Sequence, residues 1–405
     1  MGGYNRGLVL ETIRTHTGCS RVEVAHRTGL TAQAVSNIVR RLIADGLIAE
    51  DGRGESTGGK PRTRLRLRPN AGYAVGVQID PGELSFVLID LGGRVRSRAR
   101  RRVSPQMTPA DALDRIAVAV PQLVGRAAID AKNLMGIGVA CPGPIDYRTG
   151  SILDPPNLPR WGKVPLADDL SERIGLPVTL DNDTTAAAIG ERWSGGAADV
   201  ASFVFIYMGT GIGGGVFLDG QVYRGSTTNA GEIGHVCIDP DGPECRCGSR
   251  GCLEATCSPA ATIARIRRLS ARRRNTLGLS FESAEVETDY ERVCRAAAAG
   301  QPAARHAVEQ SATALAVGVQ SLVNVLDPDL VVLGGWGVRQ VGDIFRDKIR
   351  AAVRHHCLAR RQQRVRIAIS AAGRDAAPIG AASLVFHDAY APHFSGSNGS
   401  RQARA

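Results

Sequence analysis

The chain has 405 residues, which is more than one ordinary core needs, so two or three domains are expected. Its 50 Lys and Arg against 39 Asp and Glu give a net charge of +11, and residues 1–70 hold 12 of the basic and 6 of the acidic side chains. Such a local basic surplus favours a polyanionic partner. The sequence has no apolar stretch as long as a membrane span and no leader of the secretory type, so we expect a cytoplasmic protein with no membrane partner and with reduced cysteines.

Residues 1–70 carry the pattern of a winged helix-turn-helix. Apolar spacing indicates two short amphipathic helices, and Ser20 with Glu23 three residues later forms a capping box at the start of the second. Gly29 then breaks the chain, and Thr31 can cap a third helix. This order predicts a DNA-binding module whose third helix reads bases, with a three-helix protein–protein module as the alternative. The outward side chains of the third helix are candidate contacts with double-stranded operator DNA: Gln33, Ser36, Asn37 and Arg40.

The segment after the third helix is expected to form the wing. Alternating Arg and Leu between Arg64 and Arg68 indicate a strand with one buried and one basic face. The strip before it, which ends in Lys60, Pro61 and Arg62, is cationic and narrow enough to enter a minor groove. Lys60 and Arg62 are therefore predicted DNA contacts, and an exposed linker that touches only phosphates is the alternative.

The rest of the chain repeats one plan. From Tyr73, and again from Ser202, the sequence reads as strand, glycine turn, strand, glycine turn and strand, and helical patterns follow each copy. Two such copies predict two α/β lobes with a cleft between them. The expected segments are residues 71–195 for the first lobe, 376–390 for a helix that completes it, 196–375 for the second lobe, and 391–405 for a disordered tail.

Two motifs are expected to face the cleft. The Asp181-Asn182-Asp183 run follows an apolar strand, and α/β sheets bind ligands at the ends of their strands. Asp183 could accept a proton or a hydrogen bond from a sugar hydroxyl, or it could simply cap the next helix. The second motif is a glycine-rich turn whose backbone N–H groups can surround a phosphate, although a plain hairpin would look similar. The phosphate-loop candidates are Gly209, Thr210, Gly211 and Gly213.

The stretch from Asn229 to Glu254 places His235 and three closely spaced cysteines, Cys245, Cys247 and Cys252, within 18 residues. A Cys-x-Cys-x4-Cys spacing with an upstream histidine predicts a zinc knuckle, and four protein ligands make the Zn²⁺ structural rather than catalytic. A disulfide or idle thiols are the alternative. The predicted ligands are His235, Cys245, Cys247 and Cys252.

Two acids, Glu232 and Glu254, flank these ligands and would be held in place by the same metal. Rigid carboxylates beside an imidazole suit the adjacent hydroxyls of a sugar, because each carboxylate can accept two hydrogen bonds in a fixed plane. Glu232, His235 and Glu254 are therefore predicted sugar contacts. The alternative is that both acids only support the zinc site.

The pattern Gly-Glu-x-Gly-His followed by Cys-x-Cys-Gly-x2-Gly-Cys-Leu-Glu resembles the ROK family, which groups sugar-responsive repressors with bacterial sugar kinases. The resemblance extends from about Arg6 to Ala382. It implies an α/β protein in which a winged helix-turn-helix precedes a two-lobed actin-like ATPase (ribonuclease H-like) fold with a zinc knuckle. In the family's kinases the residue that matches Asp183 is the catalytic base, and the residue that matches Asn182 is a sugar ligand. The resemblance thus implies a whole sugar site.

The first phosphate turn departs from the family's kinases. Where they have Asp-x-Gly-Gly-Thr, this chain has Asp80-Pro81-Gly82-Glu83-Leu84, which loses a glycine and a hydroxyl and adds a carboxylate. Like charge in a poorly solvated turn opposes phosphate binding. We therefore expect a sugar-responsive transcriptional regulator rather than an enzyme. It would repress carbohydrate genes as a homodimer or homotetramer, with a sugar or a sugar derivative as inducer or co-repressor. The alternatives are an ATP-dependent sugar kinase with Asp183 as catalytic base, and a metal-sensing repressor, which a closed zinc site does not favour.

Overall fold

The computed structural model describes residues 2–53, 62–270, 276–282, 285–362 and 364–392. The predicted DNA contact Lys60 and the predicted tail from residue 393 onward lie outside these ranges. The elements form a small N-terminal head and two α/β lobes, as the sequence predicts.

The head is a winged helix-turn-helix of three helices and a two-stranded antiparallel sheet. The predicted capping box is present, since the Ser20 backbone N–H donates to Glu23 (2.7 Å) and the Glu23 N–H donates to the Ser20 hydroxyl (3.4 Å). Gly29 closes the second helix in the left-handed region (φ 70°), and Thr31 caps the third. These elements are α1 (Gly2–Thr15), α2 (Arg21–Thr28), α3 (Ala32–Ala44), β1 (Ile48–Arg53) and β2 (Thr63–Leu67).

The first lobe is built on a five-stranded sheet in the order β10-β6-β3-β4-β5, with the first three strands parallel and the last two antiparallel. Apolar side chains of two helices cover one face. A three-stranded sheet, β7-β8-β9, extends from its edge. These elements are β3 (Tyr73–Asp80), β4 (Glu83–Asp90), β5 (Val95–Arg102), α4 (Pro109–Arg126), β6 (Leu134–Cys141), β7 (Ile145–Asp146), β8 (Ser151–Leu153), β9 (Lys163–Val164), α5 (Leu166–Ile174) and β10 (Val178–Asn182).

The second lobe repeats this plan with the strand order β13-β12-β11-β14-β15. Its outer face carries the largest apolar cluster, which joins the sheet to the helices that follow the knuckle. These elements are β11 (Phe203–Met208), β12 (Ile212–Leu218), β13 (Gln221–Val222), α7 (Leu253–Cys257), α8 (Pro259–Ser270), α9 (Val286–Ala298), α10 (Pro302–Leu326), β14 (Leu330–Gly334), α11 (Gly342–His356) and β15 (Arg366–Ile369).

Two further helices, α6 (Asp183–Ser194) and α12 (Ala376–Tyr390), lie between the two sheets. The two helices cross closely at Gly190 and Gly380. A Cβ atom on Gly190 would lie only 2.8 Å from the Gly380 Cα, so the crossing requires glycine. The helix α12 also lies directly on the first sheet, where a Cβ on Gly76 would overlap the Pro378 carbonyl. The first half of α12 therefore packs against β3, the first strand of the body.

In the part of the chain that the structure describes, none of the helices combines the length and the apolar character that crossing a membrane requires.

Candidate functional site

A cavity of about 340 Å³ lies between the two lobes. The end of β3, the loop after β6 and the start of α6 supply one wall, and the glycine-rich turn and the knuckle supply the other. The cavity brings together every residue predicted for the sugar site and three of the four phosphate-loop candidates: Asn182, Asp183, Glu232, His235, Glu254, Thr210, Gly211 and Gly213. The fourth candidate, Gly209, lies behind them and donates its N–H to the Gly211 carbonyl (3.0 Å).

The first residues of α6 combine a helix cap with the cavity wall. The Asn182 side-chain oxygen accepts hydrogen bonds from the Thr184 N–H (2.9 Å) and hydroxyl (2.6 Å), so it is the N-cap, which leaves its amide N–H₂ as the donor for a ligand. Asp183 follows it. Burial, together with the negative charge of Asp80, raises the pKa of Asp183 to about 7. A carboxyl group with such a pKa can act as an acceptor or as a proton-transfer group near neutral pH.

Asp80, at the end of β3, lines the same cavity. Burial, with the charges of Glu83 and Glu287, raises the pKa of Asp80 to about 7. The Glu83 carboxylate pairs with Arg100 (3.2 Å) and Arg374 (3.3 Å) and does not line the cavity. The negative charge at this end of the cavity therefore comes from the Asp80 and Asp183 pair.

The glycine-rich turn contacts the knuckle through Glu254. The Ile212 N–H donates to Glu254 Oε2 (2.8 Å), and a Cβ on Gly211 would overlap that same oxygen. The other carboxylate oxygen of Glu254 pairs with Arg246 (3.1 Å), whose guanidinium also donates to the Asn157 side chain in the first lobe. Arg246 therefore links the two lobes across the cavity.

The four predicted metal ligands form one cluster. Their donor atoms all lie within 4.8 Å of one another, and they are His235, Cys245, Cys247 and Cys252. The His235 Nδ1 atom is 3.5 Å from the Cys245 sulfur, and the sulfurs of Cys247 and Cys252 are 3.7 Å apart. His235 thus directs Nδ1 into the cluster, and its ring also lines the cavity. The group could hold a metal ion.

The described residues among the predicted DNA contacts lie on α3 and beside β2. Gln33, Asn37 and Arg40 of α3 are exposed, and Ser36 is half-buried beside them. Arg62 is exposed just before β2, in which buried Leu65 alternates with exposed arginines.

The far end of α6 contacts the head. The carbonyls of Arg192 (3.5 Å) and Trp193 accept hydrogen bonds from the guanidinium of Arg14 in α1, and Glu11 pairs with Arg192. A single helix thus extends from the cavity to the DNA-binding module. No local sequence pattern marks this junction or the cavity residues Asn157, Tyr207 and Arg246, whereas Asp80 is the first residue of the altered phosphate turn.

A family model described as the ROK family matches residues 74–388, and one described as the MarR family matches residues 4–54. A putative xylose repressor of Caldicellulosiruptor sp. (strain Rt8B.4) is 30% identical over 384 residues, which cover 95% of this chain and 96% of that protein. A glucokinase of Thermotoga maritima is 30% identical over 311 residues, which cover 77% of this chain and 96% of that enzyme.

Among solved structures, a ROK family transcriptional regulator that is a homolog of the E. coli MLC protein matches with a TM-score of 0.78 at 27% identity and covers 96% of both chains. The winged helix-turn-helix and the two-lobed actin-like body are both within this match. The chain therefore belongs to the ROK family, in the transcriptional-regulator branch that carries an N-terminal winged helix-turn-helix.

Proposed function

We propose that the protein is a sugar-responsive transcriptional repressor of carbohydrate genes, which binds operator DNA through its head and a sugar effector in the cavity between its lobes. The observation that carries this proposal is that α6 begins in the cavity and ends against α1 of the head. The xylose repressor and the ROK regulator among its relatives support it. A cytoplasmic location, where such DNA is found, belongs to the same proposal.

On the DNA, Gln33, Ser36, Asn37 and Arg40 contact base edges in the major groove, and Lys60 and Arg62 reach phosphates or the minor groove. One helix reads only a short half-site, so the repressor acts as a homodimer or homotetramer on an inverted repeat. The exposure of the described α3 side chains supports this assignment.

In the cavity, the sugar hydroxyls bind Asn182, Asp183, Glu232, His235 and Glu254. The side chain of Asn182 donates, because its oxygen already caps α6, whereas the carboxylates accept. Polar groups from both lobes would then contact one ligand, which favours a closed body.

The Cys3His cluster binds a structural Zn²⁺. Zinc bonds of about 2.3 Å to sulfur and about 2.0 Å to nitrogen in a tetrahedron place ligand atoms roughly 3.5 to 3.8 Å apart. The distances of 3.5 Å and 3.7 Å in the cluster fit this geometry. The metal fixes the loop that carries Glu232, His235 and Glu254, and it takes no part in chemistry.

Sugar kinase activity is the alternative function, with Asp183 as the base that removes a proton from the sugar hydroxyl. The raised pKa of Asp183 and the glucokinase relative favour it. The glycine and hydroxyl missing from the first turn, Asp80–Leu84, and the Glu254 carboxylate against the glycine-rich turn argue against it. The expected repulsion from Glu83 does not contribute, because that carboxylate pairs with Arg100 and Arg374 outside the cavity lining. Coupled ADP release over a panel of hexoses decides between the two, because robust sugar-dependent turnover would support the kinase.

The test of the main proposal is operator binding, measured by fluorescence anisotropy during titration with neutral sugars. We expect at least one sugar to change the operator affinity of the wild-type protein, and to do so much less in Asn182→Ala. Operator affinity that no sugar alters would refute the proposal.

A further inference from the structure

We propose that Arg224 is a positioning residue of the sugar site: by binding the first lobe, it holds together the two chain segments that carry the proposed sugar contacts. This role rests on the proposed function, and it belongs to a side chain outside the cavity. Arg224 lies in the loop of residues 223–229, which follows β13 and leads to Glu232. The described lining of the cavity does not include it.

The side chains of the 223–229 loop bind the first lobe, although the loop follows a strand of the second. The side-chain oxygen of Asn229 accepts a hydrogen bond from the Ile145 N–H (3.1 Å), and its N–H₂ group donates to the Ile145 carbonyl (3.2 Å). The Thr228 hydroxyl donates to the same carbonyl (3.4 Å). Ile145 is the first residue of β7, so the loop crosses from one lobe to the other.

The backbone of the loop adopts a conformation that depends on these contacts. Thr228 has a φ of 64°, in the left-handed region, which a β-branched residue rarely adopts. Such a backbone conformation persists only where the surrounding structure fixes it. The hydrogen bonds to Ile145 lie directly at this position, so the first lobe holds the loop in its conformation.

Arg224 is the charged centre of the contact between the loop and the first lobe. Its guanidinium donates to the Asp181 carboxylate and stacks over Tyr147, with its central carbon 3.7 Å from the ring centroid. Asp181 is 1% exposed, and the Tyr147 hydroxyl donates to Asp388 of α12 (2.7 Å). Removing one partner of a buried ion pair leaves the other charge without compensation. The Asp181 carboxylate therefore depends on Arg224.

Asp181 connects Arg224 to the proposed sugar contacts. The second carboxylate oxygen of Asp181 accepts the N–H of Asn182 (2.8 Å), and Asn182 and Asp183 line the cavity. On the loop side, Glu232 follows Asn229 by three residues and lines the opposite wall. Arg224 thus fixes contacts of both lobes relative to each other without touching the ligand.

The first test separates positioning from stability. Arg224→Gln should lower both the Tm and the sugar affinity, because it leaves the Asp181 charge buried without a partner. Adding Asp181→Asn removes that charge and keeps the oxygen that accepts the Asn182 N–H. We expect the double variant to regain most of the lost Tm but to bind sugar at least about 10-fold more weakly than the wild type, because the loop still lacks its anchor.

The second test changes the ring under the guanidinium. Tyr147→Phe keeps the ring and loses the hydroxyl that donates to Asp388, whereas Tyr147→Leu removes the ring. We expect sugar affinity to stay within about twofold of the wild type in Tyr147→Phe and to fall about threefold or more in Tyr147→Leu. Arg173→Gln breaks an exposed ion pair with Asp114 in the first lobe and is the control for loss of one positive charge, which should leave sugar affinity unchanged.

Titration calorimetry of the full-length protein with xylose, glucose and N-acetylglucosamine measures sugar affinity. Scanning calorimetry measures the Tm, and anisotropy measures the operator response. A double variant that regains sugar affinity together with the Tm would overturn the positioning role, and so would equal sugar affinities of Tyr147→Phe and Tyr147→Leu. If the double variant does not fold, the two Tyr147 variants decide.

Failure of the positioning role and failure of the repressor proposal are distinguishable. Sugar affinity that ignores these substitutions, with an operator response that persists, would overturn the role of Arg224 and leave the repressor proposal standing. Sugar affinity that follows them as expected, with no operator response in the wild type, would overturn the repressor proposal alone. If none of the three sugars binds the wild-type protein, both are overturned.

Discussion

The guanidinium of Arg14 in α1 stacks over the indole of Trp193 near the end of α6, with its central carbon 4.5 Å from the ring centroid. The same group donates to the Trp193 carbonyl, which is one of the carbonyls that a helix end leaves without an internal partner. Burial lowers the pKa of Arg14 to about 10, so the side chain stays charged at neutral pH. A cation here also interacts favourably with the C-terminal end of the helix dipole.

Through this junction one end of α6 contacts the head while the other end lines the cavity, and the helix is closely packed near its end at the head. Gly190 lies against Gly380, and Glu191 accepts a hydrogen bond from Ser370 (2.7 Å). If a sugar binds Asn182 and Asp183, we expect α6 to shift as a rigid unit, and this shift would displace α1 of the head. Coupling between two binding sites is typically worth about 1 to 3 kcal/mol.

The first prediction concerns the junction. Arg14→Lys keeps the charge but loses the stacking and the forked donor geometry. We expect the sugar-dependent change in operator affinity to fall at least about threefold, while sugar affinity and sugar-free operator affinity change little. Anisotropy titrations with and without sugar measure all three quantities. Arg295→Lys, at an exposed position of α9, is the control, and an unchanged sugar response in Arg14→Lys would exclude this route.

The second prediction concerns the metal. Cys247→Ser removes one ligand, so the protein should be purified with little zinc, and sugar affinity should drop by about 10- to 100-fold because the loop that carries Glu232 and Glu254 is released. Elemental analysis and calorimetry report the two effects. Cys237→Ser changes an exposed thiol in the same knuckle that is outside the cluster and should alter neither. A normal sugar response from verified zinc-free protein would contradict the coupling.

The third prediction distinguishes side chains that recognise the base sequence from side chains that bind DNA of any sequence. Gln33→Ala and Asn37→Ala should relax the base preference, because these exposed side chains are the proposed contacts with base edges. Lys60→Ala and Arg62→Ala should weaken binding to every sequence and lower the log–log salt slope by about one unit each. Competition between operator and random duplexes at several salt concentrations makes the measurement. If all four substitutions weakened binding to the operator and to the random duplex equally, this assignment of base-specific and sequence-independent contacts would be wrong.

The fourth prediction is a dependence of stability on pH. In the unfolded chain Asp183 ionises near pH 3.9, whereas burial and Asp80 raise its folded pKa to about 7. Between these values the folded state binds more protons than the unfolded state, so this carboxyl group lowers stability as the pH rises from about 4 to 7. Asp183→Asn cannot ionise and should raise the Tm relative to the wild type by a few degrees at pH 8, and by little at pH 4.

Differential scanning calorimetry at both pH values checks this outcome. The control Asp168→Asn, on an exposed helix turn, should shift the Tm alike at the two pH values. A Tm of Asp183→Asn that tracks the wild type at every pH would show that the Asp183 carboxyl group is not destabilised in the folded protein. The same variant should lose sugar affinity, because Asp183 is a proposed sugar contact.

The sequence by itself determined the features whose partners are close in the chain. The capping box at Ser20 and Glu23, the glycine that ends α2 and the alternation of β2 all follow from contacts within a few residues. The cysteine cluster belongs to this class, since its ligands fall within 18 residues and a turn-rich loop can close them. The two copies of the strand pattern could also be predicted from the sequence, because each copy contains its own glycine turns.

Only the tertiary structure decided which distant side chains meet. Arg246 reaches Asn157 across 89 positions, and Arg14 reaches Trp193 across 179. Such pairs depend on strand order and on how the two lobes and the head pack, and no local pattern encodes these. The same reason places Asp80 beside Asp183 and directs Glu254 to the glycine-rich turn. The set of charged groups that line the cavity is therefore a property of the folded chain.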